Sequence, residues 1–294
     1  MKTYTNCPIC EAKNFTPFLT CDDNTGSDER FNIVKCTNCN FAFTNPIPLE
    51  SEIGKYYESD DYISHSNTSK GLVNFLYQKV RNYTLDKKVS LLQRISNNRN
   101  LLDIGCGTGE FLARAKQHGF SVKGIEPSES AKLQAIKNFQ LTVEGEKHLA
   151  ELASESFDFI TMWHVLEHVF HLNERIVDLK RLIKKDGSII IAVPNLQSYD
   201  AKKYKKHWAA YDVPRHLYHF SEKDIKKLAL KHGLQMTQTL PMKFDSFYVS
   251  MLSEKYKTGN QNLLAAFFTG LKSNIVANSS GGYSSQIYVL KSAN

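Results

Sequence analysis

A chain of 294 residues, 41% hydrophobic and 23% charged, has ordinary globular composition; that excludes wholesale disorder and leaves room for two domains, or one with an appendage. Thirty-seven Lys and Arg against 30 Asp and Glu give a net charge of +7, which favours acidic partners without choosing among them. No apolar run approaches the ~18 residues of a spanning helix, and MKTYTNCPIC carries no signal-peptide stretch, so a soluble cytoplasmic protein is expected.

The six cysteines are too sparse for a disulfide scaffold, but four stand in two CxxC pairs, Cys7 and Cys10 in CPIC, Cys36 and Cys39 in CTNC. Four thiolates at this spacing can enclose one structural Zn²⁺ tetrahedrally, and a closed sulfur shell leaves no position for substrate. The short strand-like pieces FNIVKC and FAFTNP place the pairs on hairpins, the pattern of a zinc ribbon over residues 1–46. So short a segment would draw folding energy from the metal. The alternative is unmetallated thiols or a redox pair. Cys21 lies outside the pattern and reads as a filler or loop thiol.

Residues 47–98 read as a connector. Pro46 and Pro48 stop the ribbon, and Leu72, Phe75, Leu76, Val80, Leu85, Val89 and Leu92 then recur at helical spacing, in one long helix or two shorter ones. From residue 99 the pattern changes. The apolar strand LLDI runs through Gly105, Gly107 and Gly109 into a helix, and glycines followed by a helix N-terminus let a ligand approach backbone N–H groups. The spacing is GxGxG, so the dinucleotide fingerprint fails at its third glycine. The next strand, SVKGI, ends at Glu126, an acid placed to accept ribose hydroxyls.

DIGCGTG, Glu126, FDFITMWHVLEHV and the strand GSIIIAVPN together resemble the class I S-adenosylmethionine-dependent methyltransferases. WHVLEHV and YDVPRHLYHFS resemble, within that superfamily, a branch joined to an N-terminal zinc ribbon, which includes sugar C-methyltransferases. The resemblance implies a doubly wound α/β domain over residues 99–294, with a seven-stranded sheet whose last strand is inserted antiparallel. It places Asp103 beneath the loop, near the methionine amino group, with Gly105 and Gly107 lining the methionine moiety beside Cys106, Gly109 and Pro127. Glu126 would hold the ribose, Glu146 and Lys147 would lie by the adenine, and Trp163 and His164 over the methionine portion.

His164, His168 and His171 stand at i, i+4 and i+7, which would share one helix face. No carboxylate or thiolate obviously completes a metal shell there, so packing is the preferred reading. His207, Trp208, Tyr211, His216 and His219 crowd the segment after the GSIIIAVPN strand, where such sheets bind ligands. His216 matches the base position of the sugar C-methyltransferases, while Arg215 replaces their acidic neighbour, which would lower the proton affinity of His216. His216, His219 and Tyr211 are therefore the catalytic candidates, with Tyr57 and Tyr62 as further candidates to line the acceptor pocket. Ser221 and Asp224 cap the helix SEKDIKKLALKHG. The lysines of AKKYKKHW would meet an anionic acceptor or simply be solvated; no second basic stretch interleaved with aromatics supports nucleic acid. Residues 245–280 read as a helical insertion whose LLAAFF face is assigned to the core, and SSQIYVLKS supplies the final strand.

The leading expectation is methyl transfer to a small molecule such as a nucleotide-linked sugar. The rivals are an RNA base methyltransferase that reads its substrate through the ribbon, and a non-catalytic module binding zinc and S-adenosylmethionine.

Overall fold

The computed structural model describes residues 1–27, 29–57 and 72–293. Two sheets organise it. The larger has seven strands: β4 (Asn100–Ile104), β5 (Ser121–Ile125), β6 (Val143–Glu144), β7 (Phe157–Trp163), β8 (Ile183–Pro194), β10 (Leu234–Pro241) and β11 (Ser285–Ser292). They lie in the order β10-β11-β8-β7-β4-β5-β6, parallel from β8 to β6, with β11 antiparallel to both its neighbours. This is the doubly wound, Rossmann-like sheet that the sequence pattern predicts.

Its strands are apolar on both faces because helices cover both, and the two-residue period divides them cleanly. Leu102, Ile104, Ile160, Met162, Ile189 and Ile191 enter one core layer, while Leu101, Phe159, Ile190 and Ala192 enter the other. The first layer is closed by α4 (Leu172–Leu182) and α6 (Glu222–Lys231), the second by α1 (Leu72–Ile95), α2 (Glu110–Gln117) and α3 (Glu129–Phe139). α1 is one helix of 24 residues, and it buries Val89 and Leu92 as its spacing predicts. α6 buries Ile225, Leu228 and Ala229. Its start is fixed by Ser221, whose N–H and hydroxyl donate to Asp224 at 2.9 and 2.5 Å.

The smaller sheet is made of β1 (Phe15–Asp22), β2 (Arg30–Cys36) and β3 (Ala42–Thr44), in antiparallel register. Its fourth strand, β9 (Tyr218–His219), comes from the segment after β8 and pairs with β3. Phe41 stacks on Phe43, Tyr218 and Phe220 with ring centroids 5.5–6.0 Å apart, and these rings join the first core layer of the large sheet. Burying each such ring is worth roughly 1.5–3 kcal/mol, so the N-terminal module and the segment after β8 are held together by apolar area. The small sheet's other face packs Phe31, Ile33 and Ala42 against Trp208, Tyr211 and Val213.

Two sequence expectations are corrected here. His164, His168 and His171 do not share a helix face: His164 has φ +57°, Leu166–His168 is a single 3₁₀ turn, and His171 precedes α4. A left-handed residue interrupts the helical hydrogen-bond ladder before it can start. The insertion after β10 does form two helices, α7 (Asp245–Thr258) and α8 (Leu263–Ser280), but the LLAAFF face is not core. Leu264 is 73% and Phe268 64% exposed, because α8 packs instead through its small residues Ala266, Thr269, Gly270, Ser273 and Ala277. A Cβ on Gly270 would come within 2.9 Å of the Phe247 backbone, which explains the close approach to α7. Among the described residues, no helix is long and apolar enough to cross a membrane. Tyr62 lies outside the described residues.

Candidate active site

The parallel strands β4, β5, β6 and β7 end on one edge of the sheet, and the predicted cofactor residues follow them. Three glycines of the β4–α2 turn adopt left-handed backbone, with φ +70° at Gly105, +56° at Gly107 and +85° at Gly109. Their roles differ. A Cβ on Gly105 would meet Val165 at 2.4 Å, so this glycine lets the segment after β7 close over the turn. A Cβ on Gly109 would meet Leu141 and Ala135 at 2.7 and 2.8 Å, so it serves helix packing. Gly107 has nothing within 4 Å of that position and faces open space.

Glu126 is buried at the end of β5, and its two oxygens accept from Gly107 N at 2.7 Å and Ser128 N at 2.9 Å. The acid thus braces the turn. Pro127 follows at an exposed bend. Asp103 lies at the floor, accepting from Thr161 Oγ1 at 2.5 Å. Burial pushes its carboxyl up to about 7 against the opposing pull of that hydrogen bond and of Lys88. Cys106 is a packed thiol whose Sγ occupies the space a Cβ on Gly124 would need; burial raises its pKa, which makes it a poor nucleophile. Glu146 and Lys147 are exposed on the 3₁₀ turn after β6, with Glu146 paired to Arg175.

Trp163, the last residue of β7, packs edge-on against Phe111 at 5.4 Å, and its buried Nε1–H has no hydrogen-bond partner. Lys88, from α1, places its ammonium 4.2 Å from the Trp163 ring centre, and burial lowers its pKa despite Asp103 and Asp245. Sequence reasoning missed Lys88, whose helix gave only an apolar period. An orphaned indole N–H, an open glycine turn, and a half-buried cation acting on a buried acid fit the zwitterionic methionine portion of S-adenosylmethionine. His164 is engaged by carboxylates, with Nε2 3.0 Å from Asp245 Oδ2 and Nδ1 3.3 Å from Glu167 Oε1. Burial disfavours its charge, but the two carboxylates outweigh that and raise its pKa to about 10.

On the acceptor side the structure brings together residues that the sequence separates. His168 and His216 meet edge to face with centroids 4.6 Å apart. Glu167 is 0% exposed between them and His164, and neither of its carboxylate oxygens has a hydrogen-bond donor. Glu167 also went unrecognised as a site residue, although it stands within WHVLEHV. Its signal was present, but the arrival of His216 is a tertiary event. His216 donates from Nδ1 to Ala210 O at 2.8 Å, which leaves Nε2 with its lone pair.

His219 and Tyr211 sit differently. Thr44 gives its hydroxyl proton to His216 O at 2.9 Å, so His219 Nε2, 3.1 Å from Thr44 Oγ1, is the donor in that contact. Burial lowers the pKa of His219 to about 3. Tyr211 packs its ring on His219 and Trp208 at 5.3 and 5.1 Å, within the core beneath the small sheet. Arg215 is 1% exposed, and its charge is met by Asp23 at 3.2 Å and Asp212 at 2.6 Å, with a further bond to Tyr56 O at 2.9 Å. Where the sequence alone sets a cation beside His216, the fold neutralises it. Tyr57 places its hydroxyl 2.9 Å from His168 Nδ1.

The four thiols of Cys7, Cys10, Cys36 and Cys39 converge within 4.8 Å, with Cys7–Cys39 and Cys10–Cys36 at 3.6 and 3.5 Å. Tetrahedral Zn–S bonds of about 2.3 Å imply sulfur–sulfur edges of roughly 3.8 Å, so the cluster is compatible with a small zinc ribbon.

A seven-stranded sheet with this strand order, a glycine turn after its first parallel strand and an acid after the second define a class I S-adenosylmethionine-dependent methyltransferase. Residues 77–239 match the family model described as a methyltransferase domain. That match spans more than half of the chain, and the chain belongs to this methyltransferase family. The ubiquinone biosynthesis O-methyltransferase of Rickettsia bellii is 25% identical over 234 residues, covering 74% of this chain and 95% of that protein. The enzyme of the same description from Pelagibacter ubique is 31% identical over 163 residues, covering 51% and 68%. In fold, the chain resembles magnesium protoporphyrin IX methyltransferase of Synechocystis PCC 6803 with bound S-adenosylhomocysteine, with TM-score 0.56 and 18% identity over 83% of this chain and 100% of that one.

Proposed function

We propose that the chain methylates a hydroxyl oxygen of a small, anionic acceptor such as a nucleotide-linked sugar. The observation that carries this reading is the cluster of Glu167, His168 and His216, one strand away from the glycine turn and on the same edge of the sheet. S-adenosylmethionine supplies an electrophilic methyl group when bound, so the protein's tasks are to align the acceptor and remove its proton.

Asp103, Lys88, Trp163 and His164 surround the methionine portion, Gly105, Cys106, Gly107 and Gly109 form the turn beneath it, and Glu126 with Pro127 reaches the ribose. Glu146 and Lys147 stand on the adenine side. The cluster around His216 assists the loss of the acceptor proton; His219 and Tyr211 hold the loop that presents it. Cys7, Cys10, Cys36 and Cys39 bind a structural Zn²⁺. A division into ribbon (1–46), connector (47–98) and methyltransferase domain (99–294) is supported by the two separate sheets, although α1 of the connector packs on the large sheet and β9 is lent back to the ribbon.

Oxygen as the acceptor atom is supported by the O-methyltransferases among the relatives. An anionic substrate is supported by Lys202, Lys203, Lys205 and Lys206, which are exposed on the segment leading into the acceptor loop. The test is methyl transfer from labelled S-adenosylmethionine to a panel of nucleotide-linked sugars, free sugars, phenols and ribosomal RNA. Label on a nucleotide-linked sugar, lost on replacing His216, is the expected result. Label on RNA alone overturns the small-molecule reading, and failure to bind S-adenosylhomocysteine overturns the cofactor site.

A further inference from the structure

We infer that Glu167, His168 and His216 form a second metal site, open towards the acceptor, for a divalent first-row transition cation. One ligand atom of each residue lies within 4.8 Å of the others. Metal–nitrogen and metal–oxygen bonds of about 2.0–2.2 Å would bring such atoms to roughly 3–4 Å, an adjustment within side-chain reach. Two histidines and one carboxylate are a familiar donor set for zinc, iron and manganese, and three protein ligands leave a coordination position for substrate. The four-cysteine cluster, by contrast, is closed.

Three features of the site favour a cation over mere packing. First, Glu167 is wholly buried, its Oε1 meets the His164 ring at 3.3 Å, and its Oε2 has no hydrogen-bond partner. A buried carboxylate left so poorly matched is costly unless a charge completes it. Second, both histidines are braced from behind. His216 donates from Nδ1 to Ala210 O at 2.8 Å, and His168 from Nδ1 to Arg215 O at 3.1 Å, a bond shared with the Tyr57 hydroxyl. With Nδ1 donating, each ring can turn Nε2 to a cation, and a carbonyl on the opposite nitrogen is the usual support of a metal-binding imidazole; Asp212 Oδ2 also lies 3.8 Å from His216 Nε2. Third, local charges leave an anionic excess. The ion pairs set Glu167 and Asp245 against His164, and Asp212 and Asp23 against Arg215; with Lys88 also acting on Asp245, four carboxylates meet three cations.

The inference rests on the methyl-transfer reading only for what the cation does. A hydroxyl oxygen bound at its open position would lose its proton to solvent near neutral pH, with His216 a ligand rather than a free base. Binding itself is tested without turnover. The full chain is stripped with a chelator and titrated with Co²⁺, followed by metal analysis and absorption spectroscopy, with S-adenosylhomocysteine affinity measured by calorimetry on each sample.

Wild type is expected to take up cobalt at the cysteines, marked by sulfur-to-metal charge transfer, and one further cobalt per chain with only weak visible bands. Glu167→Gln and His216→Ala should lose that further cobalt, keep the charge-transfer band and bind S-adenosylhomocysteine within a few fold of wild type. The site is overturned if wild type saturates with thiolate-bound cobalt alone, or if both variants still hold the second ion. Should a variant misfold, as a lost calorimetric signal would reveal, the wild-type stoichiometry and spectrum decide alone. S-adenosylhomocysteine binding without the second cobalt sinks the cation and leaves the methyltransferase reading standing; the second cobalt without S-adenosylhomocysteine binding does the reverse.

Discussion

Thr44 of the N-terminal sheet accepts a hydrogen bond from His219 Nε2 at 3.1 Å while donating its own to His216 O at 2.9 Å. One buried hydroxyl thus ties the ribbon to both ends of the loop that carries the acceptor-side histidine. β3 and β9 pair around it, and Phe41 stacks on the flanking Tyr218 and Phe220.

That coupling makes the ribbon's metal matter to the site. Zinc binding in so small a module is folding energy, and Cys36 ends the strand that pairs with β3. With zinc held as proposed, Cys36→Ser should release it and raise amide exchange across residues 216–220, well beyond the knuckle itself. Exchange confined to the first 45 residues would show that the two sheets hold independently.

The glycine turn offers a sharper comparison. Gly105 and Gly119 both have positive φ, +70° and +82°, but only Gly105 has a neighbour, Val165, in the space of a side chain. Gly119→Ala should cost the strain of a left-handed alanine alone, about 1–2 kcal/mol. Gly105→Ala adds a clash with Val165, so it should cost clearly more in denaturant melts and weaken S-adenosylhomocysteine binding at least about tenfold. Equal costs would mean that the segment after β7 moves freely over the turn.

How much of this was legible in the sequence depended on whether the signal was local. The two CxxC pairs and the glycine turn with Glu126 are short-range patterns, and each recurs in the fold where its chemistry requires. The histidines of WHVLEHV misled because equal spacing implies a helix only if every φ is right-handed, and His164 is not. Glu167 stayed hidden because its neighbours His168 and His216 come together only through tertiary packing. Arg215 misled in another way: one neutralising carboxylate, Asp212, stands three residues before it, but the other, Asp23, lies in the distant ribbon. The LLAAFF run on α8 carried the composition of a core segment, yet the helix turns its small residues inward.

Glu126 joins two backbone N–H groups, on Gly107 and Ser128, and a hydrogen bond to a charged acceptor is worth about 1.5–3 kcal/mol. Glu126→Ala removes both, together with the acid proposed to face the ribose. Calorimetry should show at least about a tenfold loss of S-adenosylhomocysteine affinity, whereas Glu126→Gln, which keeps one acceptor oxygen, should lose less. Matching losses would place the effect on charge rather than on the brace.

His219 makes stability depend on pH in a predictable direction. Its folded pKa is lowered to about 3, chiefly by burial, from an ordinary 6.5. The unfolded chain therefore binds a proton that the folded chain refuses, so the contribution is fully present above pH 6.5 and is lost as pH falls towards 3. Each step of one pH below 6.5 costs about 1.4 kcal/mol at this residue, on the order of 3 kcal/mol by pH 4. His219→Gln keeps a side-chain N–H for Thr44 and cannot titrate. Denaturation measured from pH 7 to pH 4 should give the variant a visibly flatter stability profile than wild type, after allowing for a lower starting point from imperfect packing against Tyr211. Parallel profiles would mean that His219 becomes protonated within the fold, and that the loop around Thr44 opens to water before the protein unfolds.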